Sequence, residues 1–245
     1  MKFIFSCLLL IYCFGGYSQN IKKREKTVGL NFGFALNSPN NYSKNNFIKS
    51  ANTITLPIGI EFCYYFKEKL GFYSSLNVNW HKDKMKARFI TDSITIPQSY
   101  TASYKFSNIY LINIGLKYQI IKKNKLTAQI GLGPQLFLQS KTGTLTTSTD
   151  SLFIKDRSMN SYLFVTNSSV FAKSKINFGY KINAEIAKQL TVKQKLSFIL
   201  SYQNSFSTLR QTTINSTKNG IFYDSVLSNF TGKSFFATLT YAFKI

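Results

Sequence analysis

The sequence is poor in acidic side chains, histidine and cysteine. Its 245 residues contain 9 Asp and Glu against 31 Lys and Arg, a formal net charge of +22, with one histidine and three cysteines. One histidine excludes a zinc site built from several histidines. The sequence has neither the dense basic stripe nor the motif of a nucleic-acid-binding domain. We therefore expect no nucleic-acid partner, no metal and no other cofactor.

The first residues have the pattern of a secretory signal peptide. Lys2 supplies a positive start, an apolar run follows over 3–14, and Gly16 and Ser18 are small residues at the positions −3 and −1 to a cleavage site before Gln19. We therefore predict a signal peptide over 1–18, a basic periplasmic segment over 19–26 and one barrel domain over 27–245. The alternative is an uncleaved anchor.

Few cysteines and no long apolar run remain in the predicted mature chain. Cleavage removes Cys7 and Cys13 and leaves Cys63, so an internal disulfide is excluded. After the first residues, no apolar run approaches the ~18 residues of a transmembrane helix. If the mature chain enters a membrane, it does so as strands.

Hydrophobic residues alternate with small or polar residues along eight segments, the period of a β-strand. The segments are 28–36, 54–66, 70–80, 110–120, 126–138, 176–186, 196–206 and 235–245. Most reach the ~9–11 residues that a tilted strand needs to cross a bilayer. We predict an all-β, transmembrane, antiparallel up-and-down barrel of eight strands. Ten strands remain the alternative, because 162–171 could form an extra pair.

The face opposite the hydrophobic one carries glycine, Asn, Gln, Ser and Thr with little charge. A narrow barrel interior has this composition, whereas the bulky aromatic face suits lipid. A soluble barrel with its apolar face inward is the alternative. Aromatic residues predict girdles at the two membrane interfaces. The predicted girdle residues are Trp80, Phe206 and Phe235 at one interface and Phe66, Phe72, Tyr118 and Phe243 at the other.

The connections alternate between short and long. Those after the second, fourth and sixth segments are short, and the others are long and rich in Ser, Thr and Asn. This asymmetry is typical of bacterial outer-membrane barrels and predicts that both termini are periplasmic. Asp-Ser followed by an apolar residue recurs at 92–94, 150–152 and 224–226, which predicts turns within hairpins. Pro57 and Pro134 lie inside predicted strands, where each removes a hydrogen-bond donor. A bulge at either site would accommodate the proline, and the alternative is that the predicted strand boundaries are wrong there.

Several segments resemble the outer-membrane β-barrel family that includes PorT-like and OmpX/OmpA-like barrels. They are the cleavage region 16–19, the opening strand 28–33 (VGLNFG), the strand 130–134 (IGLGP) and the terminal strand 238–245 (TLTYAFKI). The resemblance covers essentially the whole predicted mature chain. It implies that the barrel-assembly machinery is a partner and reads the terminal signal Tyr241, Phe243 and Ile245. It also implies a link to protein secretion.

Charged residues on the predicted interior face are the main candidate site. Glu61, Lys117, Lys181 and Glu185 all fall in the same half of the barrel, and buried charges must be paired. We predict that they form a salt-bridge plug, because eight strands leave no wide channel. A gated ion or proton path is the functional alternative.

These features favour a non-enzymatic barrel that presents extracellular loops for envelope structure, adhesion or partner binding. A component of an outer-membrane secretion or assembly machine is the first alternative. A lipid-modifying enzyme using His81 is the second, because barrel enzymes place a histidine near the outer interface. The lysines in the loops and at the rim predict contact with outer-membrane lipid and lipopolysaccharide, whose headgroups are anionic. Other envelope proteins are further expected partners.

Overall fold

The structure, a computed structural model, describes residues 25–43, 48–81, 84–91, 94–103, 107–155 and 161–245. Within these ranges the chain forms strands β1 (Glu25–Asn37), β2 (Asn40–Ser43), β3 (Ile48–Ala51), β4 (Thr53–Thr55), β5 (Pro57–Tyr65), β6 (Leu70–His81), β7 (Lys84–Thr91), β8 (Ile94–Ser103), β9 (Ser107–Lys123), β10 (Leu126–Gln139), β11 (Gly143–Lys155), β12 (Ser161–Ala172), β13 (Ile176–Gln189), β14 (Gln194–Ser205), β15 (Arg210–Lys218), β16 (Ile221–Phe230) and β17 (Ser234–Lys244). The predicted signal peptide and most of the basic N-terminal segment lie outside the described residues.

In the part of the chain that the structure describes, no helix is long and apolar enough to cross a membrane.

Eight antiparallel strands form a closed barrel. The order around it is β1, β5, β6, β9, β10, β13, β14 and β17, and β17 pairs with β1 to close the sheet. The closing register runs from Thr27 opposite Lys244 to Asn37 opposite Ser234. The predicted eight-stranded barrel is confirmed. The ten-stranded alternative is wrong, because 162–171 lies in β12, which belongs to a separate sheet.

The two strand prolines are accommodated without a bulge, and at Pro57 the predicted strand boundary is wrong. Pro57 is the first residue of β5, and Leu56 separates β5 from the short strand β4, which continues along β1. Pro134 lies inside β10, where the pairing to β9 is interrupted and resumes in the same register. Asn113 Nδ2 donates to the Pro134 carbonyl at 2.7 Å there. The register shift between β9 and β10 lies instead at Ala128–Gln129.

Side chains alternate between a hydrophobic outer surface and a buried interior. Residues that face inward are mostly buried, whereas the large residues between them are exposed on the outside. Among the exposed residues are Leu30, Phe32, Phe34, Ile58, Ile60, Ile114, Leu116, Ile130, Leu132, Phe178, Ile182, Ile186, Phe198, Leu200 and Phe235. A continuous apolar surface of this extent is the lipid-facing surface of a transmembrane barrel. We call it the outer belt.

The two ends of the barrel differ. At one end, which we call the terminal end, Glu25 and Ile245 lie near the short connections 66–69, 124–125 and 190–193. At the other, the loop end, the long connections continue as two further sheets, β11-β12-β15-β16-β2 and β3-β7-β8. The predicted hairpins therefore form, and they pair with one another.

The recurring Asp-Ser pairs do not form the predicted turns where the structure describes them. Asp150 lies inside β11 and Asp224 inside β16, while Asp92 and Ser93 lie outside the described residues. The β15–β16 turn is formed by Asn219 and Gly220, both with positive φ. A two-residue turn with this backbone matches the twist of a hairpin, so Asn-Gly and not Asp-Ser is the turn signal here.

Substituting a charged residue on the outer belt tests whether that surface faces lipid or water. Leu132, in the middle of β10, is 59% exposed, and Val192, in the turn between β13 and β14, is 78% exposed. We expect Leu132→Arg to lower the free energy of unfolding in phospholipid vesicles by about 2–4 kcal/mol, and Val192→Arg by about 0–1 kcal/mol. Urea titration measures both. Equal losses would contradict a membrane-spanning belt.

Candidate functional site

An ion-paired cluster crosses the barrel interior near the terminal end. Lys117 Nζ lies 2.5 Å from Glu61 Oε1 and 2.7 Å from Glu185 Oε2. The other oxygen of Glu185, Oε1, lies 2.8 Å from Lys195 Nζ. We call Glu61, Lys117, Glu185 and Lys195 the ion cluster. Its two cations and two anions balance, which is the condition under which charges tolerate burial.

The inward positions of four strands bring the ion cluster together. Glu61 is on β5, Lys117 on β9, Glu185 on β13 and Lys195 on β14. The narrow barrel is crowded beside these residues, and several of their neighbours on adjacent strands are glycines at which a Cβ would clash with other side chains. Gly71 and Gly131 lie opposite Lys117 on the two adjacent strands, and Gly29 lies opposite Glu61.

Cys63 and Tyr73 complete the surroundings of Lys117. The Cys63 thiol donates to Glu61 Oε1 at 3.3 Å and accepts from Lys117 Nζ at 3.5 Å. The ammonium also lies 5.1 Å from the centroid of the Tyr73 ring. Lys117 is only 1% exposed, so these contacts replace its hydration.

Three of the four residues of the predicted plug meet, and Lys181 does not join them. It lies on β13 opposite Gly133 and Gln203, nearer the loop end, and makes no ion pair with Glu61 or Glu185 among the described contacts. Lys195 takes the fourth position. The sequence prediction of the plug did not include it, although it shares the inward parity of Ser197 and Ile199. That parity is the signal that would have identified it.

Amide side chains fill the middle of the barrel. Asn113, Gln135, Asn183 and Gln203 are all at least 98% buried. Nearer the loop end, hydroxyl and amide groups form a chain across four strands. Ser234 Oγ donates to Asn37 Oδ1 at 2.7 Å, and Asn37 Nδ2 donates to Thr55 Oγ1 at 3.1 Å. Thr55 Oγ1 in turn donates to Asn79 Oδ1 at 2.5 Å.

A compact apolar group closes the loop end. It consists of Ala35, Ile109, Leu111, Phe137, Leu209, Phe230 and Phe236, and we call it the apolar plug. The expectation of a small and polar interior is therefore wrong at this end. The base of the β15–β16 hairpin supplies Leu209, just before β15, and Phe230, the last residue of β16. Leu209 N donates to the Phe230 carbonyl at 2.8 Å. Barrel strands and hairpin thus share one core.

Gly232 permits this close packing. Its φ is +73°, and a Cβ added there would meet the Phe137 ring at 2.7 Å and Leu209 Cδ1 at 2.8 Å. Glycine is required at this position because the backbone is left-handed and because there is no room for a Cβ.

The predicted girdle residues lie at the outer surface of the barrel. Phe206 and Phe235 are exposed at the loop end and stack with two tyrosines that the sequence interpretation missed. Tyr180 lies 5.9 Å from Phe206, and Tyr202 lies 4.9 Å from Phe235, between ring centroids. Outward parity next to Phe178 and Leu200 would have identified both tyrosines.

The other predicted girdle residues follow the same outward pattern. Trp80 is exposed near the loop-end limit of β6. Toward the terminal end, Tyr118 and Phe243 are exposed, whereas Phe66 and Phe72 are half-buried.

The predicted assembly signal lies at the terminal end of the closing strand. Tyr241 is half-buried, whereas Phe243 and Ile245 are exposed. The rings of Tyr241 and Phe243 pack edge to face at 5.0 Å between centroids.

His81 ends β6, where its backbone pairs with Ser107, and its imidazole lies outside the described side chains. Where the structure describes side chains, no group of His, Cys, Asp and Glu has the arrangement of a metal site.

Removing Lys117 tests whether the ion cluster is an energetic unit. We expect Lys117→Met to lower the free energy of unfolding by about 3–5 kcal/mol, because it leaves two buried carboxylates without their shared partner. Lys181→Met is the matched control and should cost less. Adding Glu61→Gln and Glu185→Gln to Lys117→Met should recover most of the loss. Equal losses for the two lysines, measured by urea unfolding in vesicles, would contradict the cluster.

Comparison with known proteins identifies the fold. No protein-family model and no curated protein matches the sequence. The crystal structure of the outer membrane protein OprG from Pseudomonas aeruginosa is similar at a TM-score of 0.50 and 12% identity, over 90% of this chain and 97% of that one.

Two further solved structures are more distant. Neisserial surface protein A gives a TM-score of 0.42 at 9% identity, over 89% of this chain and 98% of that one. The outer membrane protease OmpT from Escherichia coli gives 0.44 at 7% identity, over 93% of this chain and 100% of that one. The closed eight-stranded barrel and its likeness to OprG give this chain the fold of the outer-membrane β-barrel proteins.

Proposed function

We propose that this protein is a non-enzymatic barrel of the bacterial outer membrane with a plugged lumen. It presents the two loop-end sheets outside the cell for envelope structure, adhesion or partner binding, and keeps both termini in the periplasm. One observation carries the proposal: the interior is closed at two levels, while the long connections are organised into paired sheets rather than a pore mouth.

The two closures have different chemistry. The ion cluster spans the interior through contacts of 2.5–2.8 Å between oppositely charged atoms. The apolar plug fills the loop end with side chains that are nearly or fully buried. Eight strands enclose little more than the volume of their own side chains. Together these features favour a closed barrel over a water-filled channel.

The loop-end sheets offer backbone groups for binding an extended polypeptide. In the described chain, β11 pairs only with β12, and β8 only with β7. Each is therefore an edge strand with unpaired N–H and C=O groups, onto which a partner strand can add. The β11 edge exposes Thr144, Thr147 and Thr149, and the Thr149 hydroxyl donates to Asn167 Oδ1 of β12 at 2.7 Å. This edge supports partner binding as the role of the loop end.

Site-specific labelling tests the orientation. Asn219, in the β15–β16 turn, and Asn124, in the β9–β10 turn, are exposed at opposite ends. With Cys63 buried, a membrane-impermeant maleimide should label Asn219→Cys on intact cells and should label Asn124→Cys only after permeabilisation. Labelling of Asn124→Cys on intact cells would reverse the orientation.

Conductance in planar bilayers tests the closed lumen. We expect no steady current through the unmodified protein, nor through Glu61→Gln, because the apolar plug closes the loop end independently of the ion cluster. Phe137→Ala combined with Leu209→Ala removes bulk from that plug but leaves the ion cluster in place, so it should also carry no steady current. Adding Glu61→Gln to these two changes weakens both levels and should produce flickering openings. A stable open current through the unmodified protein would sink the plugged-lumen proposal.

A further inference from the structure

The barrel opens at its terminal end into a concave vestibule rich in lysine. Its lining comprises Glu25, Thr27, Tyr65, Gln119, Lys122, Asn124, Lys125, Thr127, Gln189, Val192, Lys193, Gln194, Lys195 and Lys244. We call this the terminal vestibule. Five of its side chains are cationic, one is anionic and none is an arginine. The ion cluster lies beneath it, since Lys195 belongs to both.

Only part of this positive charge is compensated. Lys244 Nζ lies 3.3 Å from Glu25 Oε2, and Lys195 Nζ pairs with Glu185. Lys122, Lys125 and Lys193 make no ion pair in the described part of the chain, and all three are exposed. Three uncompensated ammonium groups around one cavity attract an anion, because their fields add within it.

Hydrogen-bonding groups below the rim have no partner either. Ser197 Oγ and Thr240 Oγ1 lack a hydrogen bond among the described residues, and Ser197 and Thr240 lie opposite each other on β14 and β17. Gln129 Nε2 is also unpartnered, although its Oε1 accepts from the Tyr65 hydroxyl. All three residues are at least 97% buried. They are not among the lining residues of the vestibule, so the lysines at its rim carry the site.

We infer that the terminal vestibule binds an acidic segment of a polypeptide, with carboxylates held by Lys122, Lys125 and Lys193. The remaining lining favours a peptide over a phosphate. Gln119, Asn124, Gln189 and Gln194 offer both donors and acceptors, which match peptide groups, whereas phosphate recognition favours the bidentate geometry of arginine. The lysines surround the barrel opening, so a lipid embedded in the surrounding membrane is a poorer fit. This site is at the opposite end from the proposed display sheets and does not depend on them.

Equilibrium binding to the detergent-solubilised full chain tests the inference. The probe is a fluorescein-labelled peptide of six glutamates, and its matched control is the same peptide with lysines. We expect saturable binding of the glutamate peptide alone, weakening as salt is raised. Lys125→Gln with Lys193→Gln should weaken it about tenfold. Lys173→Gln with Lys233→Gln, which removes the same charge at the loop end, should change it less than twofold.

Other outcomes overturn the inference. Equal weakening by both double variants would mean that net charge alone attracts the peptide. Absence of saturation would mean that there is no site. Inorganic phosphate, or vesicles containing phosphatidylglycerol, could instead bind more tightly than the glutamate peptide. If Lys125→Gln with Lys193→Gln abolished that binding, the vestibule would be a phosphate site. Heat-modifiable gel migration of each variant verifies that the barrel has folded.

Discussion

Closure of the sheet between β1 and β17 is the constraint on which the rest of this structure depends. Lipid offers no hydrogen-bond partners, so a sheet with an open edge cannot cross it. Pairing β17 with β1 satisfies both edges at once and limits the barrel to eight strands. The resulting interior is narrow, and every inward side chain must fit against those of the facing strands. The glycines opposite Lys117 and Glu61 follow from this lack of space.

The narrow interior is filled differently at its two ends. Near the terminal end it holds Lys117 between two carboxylates, an arrangement that gains little net stability but is costly to break. Near the loop end it holds the apolar plug, to which Leu209 and Phe230 at the base of the β15–β16 hairpin contribute. Hydrophobic burial there requires no partner atoms of opposite charge. The barrel interior is therefore filled at two levels by different interactions, and the concave, lysine-rich cavity lies at its terminal end.

The alternation of residues predicted the architecture well. Each of the eight alternating segments forms a barrel strand, and the outward parity identifies the outer belt without knowledge of the fold. The same logic identified Glu61, Lys117 and Glu185 as inward charges. It named Lys181 as the fourth residue where Lys195 takes that place, although both share that parity. Their heights along the barrel depend on the stagger between β13 and β14, which pairing sets and alternation does not.

Local sequence was less informative where strands meet. A bulge was one of the two alternatives for Pro134, but the amide of Asn113 on the facing strand donates to its carbonyl, and the register continues. Asp150 and Asp224 were expected in turns, yet the hairpin partners of β11 and β16 hold both inside strands. In each case a neighbouring strand supplied hydrogen bonds that a local reading cannot include.

The sequence by itself determined which face of each strand is hydrophobic, the number of crossings and the asymmetry of the connections, because these follow from a two-residue period along one segment. Tertiary structure alone decided which inward residues touch, that Lys195 and Cys63 join Lys117, and that an apolar plug closes the loop end. Those contacts join residues far apart in the chain: Lys117 lies 56 positions from Glu61 and 68 from Glu185. They depend on the closure and stagger of the whole barrel, which no single segment encodes.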